Sequence, residues 1–373
     1  MTDHDGFLDA LLTAFSNQVF LAGRYADERL ALPKDDVLRV FLPDFHWMST
    51  ICLQRYTGGY QFNGNLPLPD GRPTFATLLG VLENVQAGGG FELFQLGDRF
   101  DLWREMTDAD PDVLTAYRRV RDDAAVSGLA SRLNDLGARY IRGNHDAWLA
   151  EVEPQIQEPV SFKELPAAKN NILLTHGHRY DNVEMLLPDK LKAVFVGLAP
   201  KIRPGTYAVG PFSNKNAGKI VKFLAIRKRA NNPMLFPNVV PDGARFIQSR
   251  ADVDAIATDS VTYLDAARFS HGTGNRNDFE HISYLTFGDK VLTFEQNHPE
   301  DHAVHVIGHT HHARILVDRL PSGRPHVTLD CGGWIENCTV RLKATGSSHV
   351  APSAQIGVQH GNDLRIYQLG GNF

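Results

Sequence analysis

Phe91-Glu-Leu-Phe-Gln-Leu-Gly-Asp-Arg-Phe-Asp101 is a short run rich in apolar side chains that stops at a Gly-Asp turn pair. A run of this length bounded by a turn dipeptide reads as a buried strand followed by a loop. The same grammar recurs along the chain. Val37-Leu-Arg-Val-Phe-Leu42 leads to Asp44-Phe45-His46, and Tyr140-Ile-Arg142 leads to Gly143-Asn144-His145-Asp146. Ile172-Leu-Leu-Thr175 leads to His176-Gly177-His178, and Ala303-Val-His-Val-Ile307 leads to Gly308-His309-Thr310-His311. Any one of these clusters is an ordinary turn or a pair of surface histidines. Ligands in open α/β sheets gather at the C-terminal ends of strands, and all five clusters fall there. Position, more than any single motif, therefore points to one site assembled from five loops.

Between these runs the spacing predicts a helix near 74–86 and a long helix over 112–136, after Asp110-Pro111. Residues Phe7 to Ala22 read as an amphipathic helix packed on the core. Later runs at 313–318, 326–330 and 363–368 read as mostly antiparallel strands, and 345–362 has no clear place. Alternation of strands and helices says α/β and no more.

The residue types carry chemistry. Aspartate, histidine and asparagine offer oxygen and nitrogen donors, which suit borderline first-row metals such as Mn, Fe, Zn, Ni or Co. Two ions about 3.5–4 Å apart require a shared carboxylate inside such a shell.

In this order the clusters resemble the calcineurin-like metallophosphoesterase family, whose motifs run DxH, GDxxD, GNH(D/E), H and GHxH. The resemblance covers nearly all of the core. It implies a four-layer α/β/β/α sandwich and a binuclear centre that hydrolyses phosphate esters. Asp44, His46, Asp98 and His311 would hold one ion. Asp98 would bridge to a second, completed by Asn144, His176 and His309. Mn is the expected metal, with Fe, Zn, Ni, Co and Mg as the other candidates. A water or hydroxide between the ions would attack phosphorus. His145 would assist the leaving group, and Asp146 would orient it. Asp101 completes the GDxxD pattern and is expected to support the loop. His178 either faces the site or packs, and Asp181 is a candidate for the surrounding shell.

Three segments, Leu96–Trp103, His176-Gly177 and Gly332–Thr339, look similar to UDP-2,3-diacylglucosamine hydrolases. Those enzymes cut a pyrophosphate in a lipid precursor and carry a helical cap. They generally have Arg where this chain has His145, so the substrate does not carry over.

The chain has 373 residues, 43% of them hydrophobic, enough for a large core with an insertion. The expected division is a core of 1–182 and 291–373 with a largely helical cap over 183–290. From Lys190 to Arg229 there are ten Lys and Arg and no Asp or Glu, inside a chain of net charge −5. A helix starting near Ser213-Asn214 would place Lys215, Lys219 and Lys222 on one face. That face is either solvated surface or a means of drawing in an anionic or lipid-linked phosphate substrate, with contact to a membrane surface as a further option. No apolar run reaches the roughly 20 residues needed to cross a bilayer. The acidic start Met-Thr-Asp-His-Asp-Gly is unlike a secretory signal. Cys52, Cys331 and Cys338 form no metal spacing, which suits a reducing compartment. The expectation is a cytoplasmic hydrolase of a phosphodiester or pyrophosphate in a nucleotide- or lipid-linked small molecule. One alternative is a metal-dependent nuclease, which the pI of about 6.3 disfavours. The other is a non-catalytic binding module on the same fold.

Overall fold

The computed structural model describes residues 3–32, 36–55, 61–62, 64–105, 112–141, 143, 145–146, 149, 171–177, 245–247, 261–263, 302–309, 311, 313–319, 325–336, 339–341, 348–350 and 354–370. In chain order the elements are α1 (His4–Ala14), β1 (Val19–Ala26), β2 (Leu38–Leu42), α2 (Thr50–Arg55), β3 (Gln61–Phe62), α3 (Thr74–Gln86) and β4 (Phe91–Gln95). Next come α4 (Leu102–Glu105), α5 (Val113–Arg121), α6 (Ser127–Asp135), β5 (Arg139–Tyr140), β6 (Asn171–Leu174), β7 (Arg245–Ile247), β8 (Val261–Tyr263) and β9 (His302–Ile307). The remaining strands are β10 (Ala313–Arg319), β11 (Pro325–Cys331), β12 (Ile335–Glu336), β13 (Thr339–Arg341), β14 (Ser348–Val350), β15 (Gln355–His360) and β16 (Asp363–Leu369).

The fold is mixed α/β. Seven strands form one sheet in the order β5-β4-β2-β15-β16-β1-β7, and five form another in the order β6-β9-β11-β10-β8. In the first sheet β2, β4 and β5 are parallel, while β2 meets β15 antiparallel. In the second, β6, β9 and β11 are parallel and β10 turns back along β11.

Strand periodicity distributes the core. In β2, Leu38, Val40 and Leu42 point toward the helices, whereas Phe41 points toward the second sheet. The first cluster joins that face of the sheet to α1, α3, α5 and α6. In α3, Phe75, Leu78, Leu79, Leu82 and Val85 follow the helical repeat and are all buried. A second cluster lies between the sheets, with Phe41 and Phe94 stacked at 5.7 Å and Ile172, Val304, Ile315 and Leu329 opposite. Burying a side chain of this size stabilises by about 1.5–3 kcal/mol. Glycine lets the sheets approach closely: a Cβ on Gly357 would lie 2.5 Å from Cys331 Sγ. Arg39 interrupts the apolar run of β2, but it is satisfied by Glu92 at 2.8 Å and Gln359 at 3.1 Å.

Two expectations need correction. The helix expected from Phe7 to Ala22 ends at Ala14, and the chain turns through Ser16 (φ 50°) and Asn17 (φ 62°) into β1. Asn17 N–H donates to Leu12 O at 2.8 Å, closing the helix with a left-handed residue. The long helix over 112–136 is two helices, α5 and α6, interrupted around Asp122-Asp123. Asp123 accepts from the backbone of Ala125 at 3.0 Å and from Thr50 N–H at 2.7 Å. That carboxylate serves the turn and the start of α2 at once, and local side-chain bonding of this kind competes with a continuous helix.

The helix near 74–86 and the strands near 37–42, 91–96, 172–175, 313–318, 326–330 and 363–368 are present within about a residue at each end. The unplaced stretch 345–362 contains β14 and β15, and β15 lies inside the larger sheet. From the expected cap, β7 pairs with β1 and β8 pairs with β10. The rest of 183–290 lies outside the described residues. Among the described residues, no helix is long and apolar enough to cross a membrane.

Candidate metal centre

The C-terminal ends of β2, β4, β5, β6 and β9 meet along one edge of the two sheets. The loops leaving them carry Asp44 and His46, Asp98, His145, His176 and His309, and His311 follows. Asp44, His46, Asp98 and His176 are completely or almost completely buried. Asn144 lies outside the described residues, as do His178, Asp181 and the three cap lysines Lys215, Lys219 and Lys222.

The donors converge in two sets that share Asp98. His311 Nε2 lies 3.0 Å from Asp44 Oδ2 and 3.1 Å from His46 Nε2. Asp98 Oδ2 lies 3.6 Å from His46 Nε2 on one side and 3.2 Å from His176 Nε2 on the other. His309 joins the second set, its ring centroid 5.1 Å from that of His176. Two donors bound at about 2.0–2.2 Å to one ion stand roughly 3 Å or slightly more apart. The spacings match that requirement, and Asp44–His46–His311, Asp98–His176–His309 and, between them, His46–Asp98–His145 are each groups that could hold a metal ion.

Further contacts orient the ligands. His309 N–H is shared between Asp44 Oδ1 (3.0 Å) and Oδ2 (3.1 Å), and His145 N–H donates to Asp98 Oδ1 at 2.8 Å. His176 Nδ1 donates to Leu96 O at 2.7 Å, so Nε2 is the nitrogen that would offer a lone pair to an ion displacing its proton. His46 Nδ1 faces Asp101 Oδ2 at 3.5 Å and turns Nε2 inward.

Three motif glycines have a direct cause. A Cβ on Gly143 would overlap Asp98, one on Gly308 would overlap Asp44, and one on Gly97 would lie 2.6 Å from His176 Nδ1. Each glycine lets its own loop lie flush against a ligand from another loop. The backbone is unusual as well. His46 (φ 49°), Asp98 (φ 49°), His309 (φ 69°) and His311 (φ 59°) are half of the eight non-glycine residues with positive φ among those described. Such conformations cost about 1–3 kcal/mol each and persist where surrounding structure enforces them.

The electrostatics favour a cation. Burial pushes the Asp44 carboxyl up, but His176 and then His311 outweigh it and hold it below its ordinary range. Burial also opposes ionisation of Asp98, yet His176 and His145 keep it well below that range. Burial alone would lower His176, but Asp98 and then Asp44 raise it to about 10. In the metal-free cluster the two carboxylates are thus compensated by a proton on His176. Burial and then His145 lower His46 to about 4, leaving it a neutral donor.

Comparison with protein-family models gives no match, and no curated protein matches either. The centre is therefore read from its own geometry.

His145 requires a correction. Asp146 does not orient its ring. Asp146 is buried and accepts from Arg99 N–H at 2.9 Å and Gly143 N–H at 2.8 Å, pinning two loops together. Burial and then Asp98 push its carboxyl up to about 6. The partner of the His145 ring is Asp101, whose Oδ1 lies 2.9 Å from Nδ1. One carboxylate thus faces both His46 and His145, whose rings meet edge-on at 4.5 Å. Asp101 lies 44 residues before His145 in the chain, so a choice based on adjacency in sequence favours Asp146 instead.

The sequence reading also passed over two buried amides. Gln95 bridges the loops of Asp44 and Asp98. Gln355 accepts from Gly333 N–H at 3.3 Å and, through its backbone carbonyl, from Trp334 Nε1 at 2.7 Å. Trp334 N–H in turn donates to Asp44 O at 2.8 Å. The signal in the sequence for Gln95 is a polar residue at the end of an apolar strand, separated from the Gly97-Asp98 pair by Leu96.

Proposed function

We propose that this protein is a metal-dependent phosphoesterase with a binuclear centre. The observation that carries the reading is the position of Asp98 Oδ2 between His46 Nε2 and His176 Nε2, where one carboxylate serves both donor sets. Asp44, His46 and His311 would hold one ion. Asn144, His176 and His309 would hold the other, with Asp98 shared. Mn is the metal we propose, one of the borderline first-row ions that a set of imidazole and carboxylate without thiolate accepts. When bound, two such ions polarise a phosphoryl group and activate water for attack.

The chain supplies the rest. Asp101 holds Nδ1 of His145, whose Nε2 would deliver a proton to the departing oxygen. Asp146 keeps Gly143 against Asp98, and the buried setting excludes bulk water from the carboxylates. The described helix, sheet and sheet layers are three of the four expected for an α/β/β/α sandwich. We propose that the part of 183–290 outside β7 and β8 includes a cap over the same edge, with Lys215, Lys219 and Lys222 drawing in an anionic, nucleotide- or lipid-linked phosphodiester or pyrophosphate. We assign the enzyme to the cytoplasm, with contact at the inner membrane face if the substrate is lipid-linked.

The test is hydrolysis of phosphodiesters by Mn-loaded protein. Activity should vanish with chelator and return with Mn²⁺. His145→Ala should keep two metals, lose about 10²–10⁴-fold on alkyl esters and lose less on p-nitrophenyl esters, whose leaving group needs no proton. A wild-type protein that binds Mn²⁺ yet cleaves no monoester, diester or pyrophosphate would reduce the site to a binding module. Equal losses on both ester classes would remove the proton-donor role.

A further inference from the structure

We propose that Gln95 is a positioning residue that sets the spacing of Asp44 and Asp98, and through it the affinity of the paired metal sites. The inference rests on the metal reading above and deepens it. Gln95 is the last residue of β4 and is fully buried. Its Nε2 donates to Gly97 O at 2.6 Å and to Pro43 O at 3.2 Å, and its Oε1 accepts from Gly97 N–H at 3.2 Å. Both amide hydrogens and the oxygen are therefore used. The backbone carbonyl of Gln95 takes Ile141 N–H at 2.9 Å, so the residue also touches the end of β5.

The two bridged loops are those that carry the carboxylates. Pro43 immediately precedes Asp44, and Gly97 immediately precedes Asp98. Gly97 has φ 100° and Asp98 φ 49°, so the chain enters the shared ligand through two left-handed residues in succession. Such a path needs an external hold, and the Gln95 amide grips Gly97 at both its N–H and its carbonyl. The loops are joined again beyond the amide, since Phe45 and His46 N–H both donate to Asp98 O at 3.1 and 2.8 Å.

Its neighbours Leu93, Phe94 and Leu96 are apolar and buried, so the amide is the exception in this part of the strand. Burying a primary amide is unfavourable unless every polar atom is bonded, and here each one is bonded to a ligand-bearing loop. An apolar residue of equal volume would fill the space but leave the carbonyl oxygens of Pro43 and Gly97 without this donor.

Gln359 provides an internal control. It is also fully buried, donates to Gly361 O at 2.6 Å and accepts from Arg39 at 3.1 Å. It pairs with the start of β2, at the opposite end of the sheet from Pro43. The experiment compares Gln95→Met and Gln359→Met in the full-length, chelator-stripped protein. The readouts are Mn²⁺ titration calorimetry, electron paramagnetic resonance of the Mn-loaded form, and thermal melting without metal. Gln95→Met should weaken Mn²⁺ binding by tenfold or more and diminish the signal of two coupled Mn ions. Gln359→Met should lower the melting temperature and leave the Mn²⁺ isotherm as in wild type. If Gln95→Met does not fold, Gln95→Glu is measured instead. It keeps the size and the acceptor for Gly97 N–H but removes both donors, and should weaken Mn²⁺ binding as well. An unchanged isotherm and resonance signal in the folded Gln95 variant overturns the proposal, as does an equal loss of affinity in the Gln359 variant. Failure of the wild type to bind two Mn²⁺ overturns the metal reading itself.

Discussion

A single methyl group is the smallest change the site could meet, and three of its glycines have no room for one. Gly143 lies against Asp98 and Gly308 against Asp44 closely enough that a Cβ would overlap the carboxylates. Neither glycine has positive φ, so an alanine there meets no backbone penalty and acts only through contact. Gly308→Ala should therefore displace Asp44 from His311 and cost at least one Mn²⁺ per chain by elemental analysis. Gly128, where a Cβ meets nothing within 4 Å, makes a matched control on α6. Full metal content in Gly308→Ala would show that the Asp44 carboxylate relaxes without losing its ion. The motif glycines were visible in the sequence as turn formers, but their close approach to ligands from distant loops was not.

At the scale of elements, local signals were legible and tertiary ones were not. The run Phe91–Leu96 with its Gly-Asp stop could be read because strand, turn and ligand are contiguous. The run Val19–Ala22 could not, because a few apolar residues suit a strand and a helix equally. The break between α5 and α6 was hidden for another reason: its cause is Asp123 binding Thr50, 73 residues earlier. The Thr50 hydroxyl also donates to Asp123 Oδ1 at 3.1 Å, so this carboxylate fixes the start of α2, just after the His46 loop. Asp123→Ala should cost about 1 kcal/mol in urea unfolding, the typical worth of such a cap. Thr50→Ala removes the hydroxyl bond alone and should cost less. If Asp123→Ala shows no loss, the carboxylate is not holding α2.

Across the whole molecule, α1 is anchored to the far hairpin by His4, which is 5% exposed and whose Nε2 lies 2.9 Å from Asp363 O. Burial, and then the charge of Arg365, lower its pKa from 6.5 to about 4. The neutral form is therefore native. The stability it confers is complete above about pH 6.5 and is lost as the pH falls toward 4, because the unfolded chain takes up the proton first. The shift corresponds to roughly 3 kcal/mol at most. Stability measured by urea unfolding should fall less steeply between pH 6.5 and 4.5 in His4→Phe than in wild type. Parallel slopes would mean that other groups govern the acid limb. The mixed α/β class was readable from the alternation of runs, but not the place of β15, which no run in the sequence pairs with β2.

The order β5-β4-β2-β15-β16-β1-β7 places the last two strands in sequence at the middle of the larger sheet. A growing chain emerging from the ribosome holds β1 and β2 long before β15 and β16 exist, and cannot join them directly into the final sheet. Until about residue 369 has been made, both strands present open edges, the usual templates for misassembly. The sheet can therefore close only after β16 has been made, and a chain cut short before β15 is a candidate for chaperone retention or degradation.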